Sequence, residues 1–373
     1  MRVIVEEAIS NVIVERDLDV RDLKFSATLS GPCQIEFTYP FKGPQENQLI
    51  LEPWKHLIHV EKTVNGVRKI LGTGIMQPSE LDEAGNYAVK AEGFSNYPSK
   101  IPWLQNWNPL VVDPFAIVKK IWDHIQGYPK GDLGVEVYPL SSGTFLLPGF
   151  SFDGSETVLD FFALFIRSAD MRDCGDEINS LARDIPFDYQ EESIWNWNRT
   201  AITKKLKLSY PKQGVTQNGM VLRFGENVLS GKPKTIPDID YASDIIIRGW
   251  FPGKMYSSTF SNADSERIRR VILQDDVSIN SRERAAVWAK RKLYRRQTPP
   301  HWETLVISEE HPNAPFGQWG LGDTIRAEGI MPWVGGVKAP HRIVAYALDD
   351  RGTVELTLKH EGAFNYDPIA FED

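Results

Sequence analysis

The chain has 373 residues, of which 42% are hydrophobic and 25% are charged, a composition typical of a folded globular protein. Its length predicts about two to four domains rather than a single core. The formal net charge of −8 argues against a dedicated nucleic-acid-binding protein, because such proteins usually carry a basic excess.

The apolar stretches and the cysteines favour a soluble protein. The longest apolar stretch, residues 158–166, is interrupted by Asp160 and is shorter than the ~20 residues that cross a bilayer. Residues 1–14 contain acidic residues and lack the continuous apolar core of an export signal. The two cysteines, Cys33 and Cys174, are far apart and have no metal-binding spacing, so we expect both to be reduced thiols.

Residues 1–98 have the pattern of short β-strands joined by frequent turns. Apolar and polar residues alternate through residues 25–29 and 34–39, as they do in strands that bury one face. Asn65-Gly66 is a strong signal for a two-residue hairpin turn. We predict a first antiparallel β-domain, a barrel or a sandwich, over residues 1–98.

Residues 99–186 mix helical and extended patterns, which predicts an α+β domain. Asp113 is placed to cap a helix that has Pro114 at its first position and stops at Gly127. Apolar residues at helical spacing give this helix one face that can be buried. These residues are Phe115, Val118, Ile121, Trp122 and Ile125.

Two further helices are predicted in the same region. One starts near Ser155, because apolar residues follow it at helical spacing. They are Val158, Leu159, Phe162, Phe165, Ile166 and Ala169. The other is shorter and covers about residues 176–183. Extended segments are predicted at residues 135–138 and 144–147, between the first two helices.

Residues 187–251 and 301–373 return to the alternating pattern of β-strands, and we predict that together they form a second β-domain. Residues 252–300 interrupt this pattern and are predicted to be an inserted, basic, helical domain. The complete prediction is a mainly β, α+β fold with two β-domains, a mixed domain between them and an insertion in the second.

The insertion contains a predicted helix and the one basic block of the chain. Asn280 and Glu283 have the spacing of a capping box, and the helix pattern ends at about Arg296. Residues 265–298 contain ten Lys or Arg and four Asp or Glu. Such a block can contact phosphates. It can equally be the solvated face of the helix or a surface that docks on an acidic neighbour.

A hairpin pattern occurs twice, once in each predicted β-domain. The first copy covers residues 70–98 with a turn at 82–85, and the second covers residues 343–368 with a turn at 349–352. Both have an Asp-x-x-Gly turn, then a strand, a Glu-Gly pair, an Asn-Tyr pair and a proline. The second strand is expected to be two residues longer in the later copy, which keeps each side chain on its face. The repeat predicts two versions of one β-domain in the polypeptide.

Two glycine-containing stretches match nucleotide-binding motifs only in part. Residues 225–232 have five residues between the glycines where a phosphate loop has four, and Pro233 occupies the position of the magnesium-binding Ser or Thr. Gly72-Thr73-Gly74 lies in a strand pattern, without a third glycine or a following helix. We therefore predict a turn between strands at residues 225–232 and no nucleotide site.

The histidines do not have the spacing of a metal site. His56 and His59 are three residues apart in a predicted strand, and alternation points them to opposite faces. The other histidines are scattered along the chain, so we expect no metal and no cofactor.

Acidic pairs and tryptophans leave two alternatives open. Two carboxylates can act as acid and base in a glycosidase, and tryptophans can stack on sugar rings of a bound carbohydrate. The acidic pairs are Glu191-Glu192, Glu309-Glu310, Asp275-Asp276 and Asp238/Asp240. The tryptophans are Trp103, Trp107, Trp195 and Trp197. The sequence cannot place two carboxylates at a catalytic separation.

Several short stretches occur in a characteristic order along most of the chain. They are residues 49–54, 113–114 with 121–126, 131–135, 186–191 with 195–196, 267–270, 311–317 and 320–323. In this order the chain resembles the baseplate-hub, or tail-associated, minor tail proteins of long-tailed bacteriophages, especially siphophages of actinobacteria.

The resemblance implies a structural protein without catalytic residues. It implies two tail-tube-like β-domains per chain and a homotrimer, in which six β-domains form a pseudo-sixfold ring at the distal end of the tail tube. DNA would pass through this ring without sequence-specific binding. The implied partners are the distal tail protein, the tape-measure protein and peripheral receptor-binding or fibre proteins. The implied location is the tail tip of the virion, after synthesis and assembly in the host cytoplasm.

Overall fold

A computed structural model describes residues 1–43, 48–107, 112–143, 149–153, 156–160, 168–235, 241–251, 254–261, 267–276, 282–311, 313–364 and 366. Within these residues the fold is mainly β and of the α+β class, which confirms the predicted fold class. The described helices include none that is both long and apolar enough to cross a membrane.

The first thirteen strands extend from the N-terminus through the middle of the chain. They are β1 (Arg2–Glu7), β2 (Val12–Leu18), β3 (Arg21–Thr28), β4 (Gln34–Tyr39), β5 (His56–Val64), β6 (Val67–Met76), β7 (Glu80–Leu81), β8 (Tyr87–Gly93), β9 (Val135–Tyr138), β10 (Gly149–Asp153), β11 (Glu156–Asp160), β12 (Asp188–Trp195) and β13 (Ile202–Ser209). The α-helices are α1 (Pro114–Gln126), α2 (Cys174–Asp184) and α3 (Arg282–Arg296).

Nine further strands follow. They are β14 (Thr216–Arg223), β15 (Ser230–Lys234), β16 (Asp244–Phe251), β17 (Lys254–Ser261), β18 (Val271–Asp276), β19 (His301–Ser308), β20 (Thr324–Met331), β21 (Gly335–Asp349) and β22 (Thr353–His360). Short 3₁₀ helices cover Phe94–Asn96, Ser168–Asp170 and Glu361–Ala363.

Fourteen of the described strands form one large sheet. Its main path is β15-β19-β22-β21-β3-β4-β8-β6-β5-β1-β2, while β20 pairs with β21, β14 with β20, and β7 with β8. The described strands do not close into a barrel. Apolar side chains from both ends of this path share one continuous core. Its members include Phe25, Ile35, Val60, Leu222, Leu305, Leu348 and Leu356.

The middle of the chain forms a second layer with its own core. β12 pairs with β13, and β13 pairs with β9, while α1 and α2 contribute to the same apolar cluster. The cluster includes Trp103, Phe115, Ile121, Trp122, Leu206 and Leu208. β12 and β13 were expected within the second β-domain, but β13 pairs with β9 of the preceding region and β12 joins the same sheet through β13.

The insertion also has its own sheet and core. β16 lies between β17 and β18, and α3 covers this sheet. The buried residues are Ala242, Ile245, Ile247, Ala285, Trp288, Ala289 and Leu293. The helix ends at Arg296, as predicted, while Asn280 of the predicted capping box lies outside the described residues. β16 was predicted to belong to the second β-domain, but it pairs with β17 and β18 in the sheet of the insertion.

Local chemistry explains why several predicted elements are confirmed. The backbone N–H of Phe115 donates to Asp113 Oδ1 at 2.8 Å, and α1 ends before Gly127. α2 covers the third predicted helix. Asn65 and Gly66 have φ angles of 51° and 76°, the left-handed conformation that a two-residue hairpin turn requires.

The second predicted helix is wrong over the residues that the structure describes. Residues 156–160 form β11, which pairs antiparallel with β10. Short apolar runs do not distinguish a helix from a strand, and the β-branched Thr157 and Val158 favour the extended form. Residues 161–167 and the predicted extended segment at 144–147 lie outside the described residues.

Candidate assembly surface

Twelve of the fourteen strands, all except β2 and β7, fall into two sets with the same order in space and along the chain. Across the sheet, the first set is β3-β4-β8-β6-β5-β1, and the second is β15-β19-β22-β21-β20-β14. In chain order the corresponding strands are β1 and β14, β3 and β15, β4 and β19, β5 and β20, β6 and β21, and β8 and β22. The two sets differ in the direction of one strand, because β14 is parallel to β20 whereas its counterpart β1 is antiparallel to β5. The sheet therefore contains one strand arrangement twice.

The repeated hairpins have the same turn. Gly85 and Gly352 have φ angles of 81° and 79°, a left-handed conformation that glycine adopts without strain. Asp82 Oδ1 accepts a hydrogen bond of 2.8 Å from the backbone N–H of Asn86. Asp349 Oδ1 accepts one of 2.9 Å from the backbone N–H of Thr353. The Asp-x-x-Gly pattern therefore encodes one turn geometry in both copies.

The strand after the turn has eight residues in the later copy and seven in the first, a difference of one residue rather than the predicted two. A 3₁₀ helix starts at Phe94, nine residues after Gly85, and another starts at Glu361, nine residues after Gly352. The copies therefore correspond residue for residue from turn to 3₁₀ helix. The shared Glu-Gly pairs lie at different structural positions, because Glu92 is in β8 whereas Glu361 begins the 3₁₀ helix.

The two sets are joined by direct strand pairing between β3 and β21. β21 has fifteen residues, and its first half pairs with β20. Residues 345–349 then pair antiparallel with residues 24–28. Phe25 lies opposite Leu348, and both side chains are buried in the core. Lys24 lies opposite Asp349.

Arg342 fixes the position of β21 beside this junction. Its buried guanidinium donates to the carbonyl oxygens of Gly322 and Gln213 at 3.1 and 3.0 Å and to the hydroxyl of Tyr366 at 2.6 Å. It also forms a close ion pair with Asp188 of β12. One side chain therefore connects the second strand set with the middle layer.

A buried polar cluster connects the first strand set with the middle layer. Lys204 Nζ on β13 lies 2.8 Å from Glu6 Oε1 on β1. His59 Nε2 lies 3.5 Å from the other oxygen of Glu6, and its Nδ1 lies 2.7 Å from Thr73 Oγ1. The Thr73 hydroxyl donates to Ser193 Oγ at 2.7 Å.

The cluster shifts the pKa values of its members. Burial alone would raise the pKa of Glu6, but the nearby His59 ring and the hydrogen-bonded Lys204 ammonium outweigh it and lower that pKa. Burial lowers the pKa of His59. These shifts favour a carboxylate that is ionised and compensated inside the protein.

Three solved structures have a similar fold over nearly their whole length. The 43 kDa tail protein of prophage MuSo2 from Shewanella oneidensis is 14% identical, with a TM-score of 0.59 over 98% of this chain and 99% of that chain. The tail protein from Neisseria meningitidis MC58 is 10% identical, with a TM-score of 0.59 over 99% of each chain. Prophage tail protein gp18 from Listeria monocytogenes is 13% identical, with a TM-score of 0.53 over 97% and 95%.

This chain has a phage tail protein fold. At these identities the likeness is one of fold, and it extends through all parts of the chain, including the middle layer and the insertion. No protein-family model matches the sequence, and no curated protein sequence matches it.

The acidic pair on β12 is divided between two faces of its strand. Glu191 is buried, and it accepts hydrogen bonds from the backbone N–H groups of Cys33 at 2.9 Å and Ser95 at 2.5 Å. Its neighbour Glu192 is exposed, as alternation in a strand requires. The two carboxylates therefore do not face a common substrate. Glu191 instead connects β12 to the ends of β4 and β8.

The other acidic pairs serve as partners for basic residues or lie outside the described residues. Glu309 Oε2 lies 2.7 Å from Lys62 Nζ, an ion pair between the two strand sets. Asp275 accepts two hydrogen bonds from Arg248, at 2.6 and 2.8 Å. Asp238 and Asp240 lie outside the described residues. Glu310 follows β19 in a turn.

The four tryptophans do not form one sugar-binding surface. Trp103 is buried, and the ring of Trp107 lies 6.2 Å from it. Trp195 Nε1 donates to Glu61 Oε1 at 2.7 Å. Trp197 is 99% exposed. Three of these side chains therefore have structural contacts, and one faces solvent.

The remaining sequence motifs are structural. Residues 224–229 form the turn between β14 and β15, whereas residues 230–232, which were predicted to be part of that turn, begin β15. In this turn Asn227 Oδ1 accepts from the backbone N–H of Arg223 at 2.6 Å. His56 Nδ1 accepts from the backbone N–H of Glu52 at 2.9 Å. Cys33 and Cys174 are buried free thiols, as predicted. The described residues contain no group of three or more side chains suited to a metal ion.

The described part of the basic block makes contacts within the insertion. Arg269 Nε lies 3.1 Å from Asp244 Oδ2, and the Arg267 guanidinium lies 4.8 Å from the centre of the Tyr241 ring. Hydrogen bonds from Ser261 and Ser243, and the contact with Arg269, outweigh the effect of burial and lower the pKa of the Asp244 carboxyl to about 2.

Sequence reasoning missed the buried polar cluster, although one signal was present. In β13 the residues at alternate positions, Ile202, Lys204, Leu206 and Leu208, are all buried. Lys204 therefore occupies a position that the alternation assigns to an apolar residue. Its partner Glu6 is 198 residues away in sequence, and no local pattern connects the two.

Proposed function

We propose that this protein is a structural component of a bacteriophage tail, and that it forms the baseplate hub at the distal end of the tail tube of a siphovirus-type phage. The observation that carries the proposal is the repeated strand arrangement, with its two copies joined edge to edge through β3 and β21. A chain with two like units can continue a sixfold tube with three copies. The fold likeness to tail proteins over nearly the whole chain supports the same role.

The proposed hub is a homotrimer in which six β-units surround a channel. Contacts of this kind are heterologous, since one edge of a chain meets a different edge of the next, and they close into a ring only if the rotation between units fits. In this role the DNA passes through the channel without sequence-specific contacts. The formal net charge of −8 suits such a channel because like charge prevents DNA from adhering.

The proposed domains follow the sequence prediction, with two boundaries drawn differently. The predicted units are residues 1–98, 99–186, 187–251 with 301–373, and 252–300. β12, β13 and β9 form one sheet, in which β13 pairs with both neighbours, and this argues for placing β12 and β13 in the mixed domain. The pairing of β16 with β17 and β18 argues for starting the insertion before β16.

The proposed partners are other components of a tail tip. They are the distal tail protein on the tube side, the tape-measure protein, and peripheral receptor-binding or fibre proteins. The proposed location is the virion, at the tail tip, after synthesis and assembly in the cytoplasm of the host bacterium.

Analytical ultracentrifugation of the concentrated protein, followed by electron microscopy, tests this proposal. The expected result is a mass of three chains and a ring with six similar β-units around a central channel. A protein that remains a monomer at every concentration, alone and with a distal tail protein, would overturn the homotrimeric hub.

A further inference from the structure

We propose that the ring closes through pairing of β15 of one chain with residues 79–82 of the next chain, antiparallel, as a second version of the β3–β21 junction. This inference rests on the trimeric hub proposed above and assigns the surfaces that join its chains. The partner is therefore a second copy of this chain.

The correspondence between the hairpins identifies the first surface. Because Gly85 corresponds to Gly352, residues 78–82 correspond to residues 345–349, the part of β21 that pairs with β3. The sequences agree at this point, since Leu81-Asp82 matches Leu348-Asp349 directly before each turn. β7, which lies in this segment, pairs with β8 alone among the described strands.

The correspondence between the neighbouring strands identifies the second surface. The residue five positions after the turn glycine is Lys90 in the first copy and Thr357 in the second. Lys90 pairs with Glu36 of β4, and Thr357 pairs with Thr304 of β19. On the other side of β4, Lys24 of β3 lies opposite Glu36. On the other side of β19, Lys232 of β15 lies opposite Thr304. Lys232 of β15 therefore corresponds to Lys24 of β3. β15 pairs with β19 alone among the described strands, so its other edge is available for a further strand.

Exposure supports the correspondence. Leu348 is 1% exposed, because β3 covers its strand and Phe25 lies opposite it. Its counterpart Leu81 is 68% exposed. A strand added at the corresponding position would place Pro233 opposite Leu81 and cover this apolar side chain. Burial of such a side chain favours association by about 25 cal/mol per Å² of apolar surface.

The charges of the two surfaces are complementary. In the β3–β21 junction Lys24 lies opposite Asp349. The same register in the proposed contact places Lys232 opposite Asp82 and Lys234 opposite Glu80. Opposite charges at directly paired positions stabilise a sheet by roughly 0.2–1 kcal/mol for each pair. Pro233 lacks a backbone N–H, so this pairing depends on side-chain contacts more than the β3–β21 pairing does.

Cysteine cross-linking tests the proposed pairing. The double variant Leu81→Cys, Pro233→Cys, treated with a short bis-maleimide, is expected to give covalent dimers and trimers but nothing larger. Each single variant lacks the partner thiol and is expected to stay uncross-linked. The matched control is Val67→Cys with Pro233→Cys, because Val67 is 53% exposed and is the first residue of β6, at the end of that strand opposite to residues 79–82. This control is expected to give no trimer.

The outcomes separate this inference from the proposed hub. A three-chain mass without the covalent trimer, or an equal yield from the control, overturns the pairing and leaves the hub standing. A protein that stays monomeric and gives no cross-linked species overturns both. A link formed only within one chain also overturns the pairing.

Charge reversal provides a second test that needs no cross-linker. Glu80→Lys is expected to weaken trimer association about tenfold, because it places a cation opposite Lys234 of the next chain. Lys234→Glu added to Glu80→Lys is expected to restore association. Since Lys234 also pairs with Glu303, the double variant is compared with Lys234→Glu alone. Glu83→Lys, in the turn beyond the paired segment, is the control and is expected to leave association unchanged.

Discussion

Lys204 Nζ and Glu6 Oε1 lie 2.8 Å apart, and both side chains are buried where the middle layer meets the large sheet. An ion pair in such a place offers little net stability compared with apolar residues, but removal of one partner leaves an uncompensated charge. The pair therefore makes the fit between the two layers specific. His59 and Asn11 complete the cluster, since Asn11 Oδ1 lies 3.0 Å from Lys204 Nζ.

We expect Lys204→Met to lower the free energy of unfolding by about 3–5 kcal/mol, because Glu6 would remain buried without its cation. Urea denaturation measures this change. The control is Lys205→Met on the same strand, whose ammonium lies 3.5 Å from the exposed Glu136 carboxylate. It is expected to cost no more than about 1 kcal/mol. Equal losses in the two variants would contradict the role assigned to the buried pair.

We expect Glu191→Gln to lower the free energy of unfolding by about 1–3 kcal/mol. A carboxylate accepts from both Cys33 and Ser95, whereas an amide can accept from only one of them. Glu192→Gln, on the exposed face of β12, is expected to have an effect within about 0.5 kcal/mol. Thermal denaturation measures both. Hydrolysis of a bacterial cell-wall polysaccharide by the wild type, lost in both variants, would instead support the glycosidase alternative.

We expect stability to decrease as the pH falls from about 6.5 to about 4, in part because of His341. Burial lowers the pKa of this residue to about 4, and the rings of His301 and His360 lie 6.1 Å from it. Its Nδ1 lies 2.9 Å from the Ala339 carbonyl oxygen, and its Nε2 accepts from the backbone N–H of Trp302 at 3.0 Å.

The folded protein therefore favours the neutral His341 ring. As the pH falls, His341 of the unfolded chain binds a proton at a higher pH than His341 of the folded protein. A folded-state pKa below the unfolded value contributes stability above pH 6.5 that is lost as the pH falls toward 4, here about 3 kcal/mol. The free energy of unfolding, measured from pH 7 to pH 4 for the wild type and for His341→Gln, isolates the contribution of His341 to this loss of stability. Parallel curves for the two proteins would rule out His341 as its source. His311→Gln, in a loop, serves as the control and should follow the wild type.

We expect Asp113→Ala to lower the free energy of unfolding by about 1–2 kcal/mol. Asp113 caps α1, and its second oxygen accepts from the hydroxyl of Ser141 at 2.8 Å and the backbone N–H of Ser142 at 2.7 Å. Asp123→Ala on the same helix removes an exposed ion pair with Lys119 and is expected to cost about 0.5 kcal/mol or less. Denaturant titration of both variants measures the difference, and a larger loss for Asp123→Ala would contradict it.

Features fixed by neighbouring residues could be predicted from the sequence. The cap at Asp113, the Asn65-Gly66 turn and the two Asp-x-x-Gly turns each depend on a few consecutive residues whose side chains or φ angles decide the conformation. The repeated turn predicted two versions of one β-domain, and the structure has one strand arrangement twice within a single sheet. The fold class followed from these local signals.

Features fixed by distant residues could not be predicted. The strand pairing of β13 with β9, and the burial of Lys204 against Glu6, depend on contacts between segments that no short pattern connects. The helix predicted from Ser155 failed because five residues can satisfy either periodicity, and pairing with β10 decides the outcome. The acidic pair at Glu191 was open from the sequence alone, because alternation separates its carboxylates only once β12 is known to be a strand.

The β3–β21 junction has a consequence for how readily the proposed ring would form. A contact between two segments of one polypeptide has an effective concentration in the millimolar range or above, whereas the same contact between separate molecules depends on their concentration in the cell. Half of the six junctions in such a ring would therefore be complete as soon as each chain has folded. Assembly would then require two encounters between molecules instead of five, which favours closure even when few copies of the protein are made.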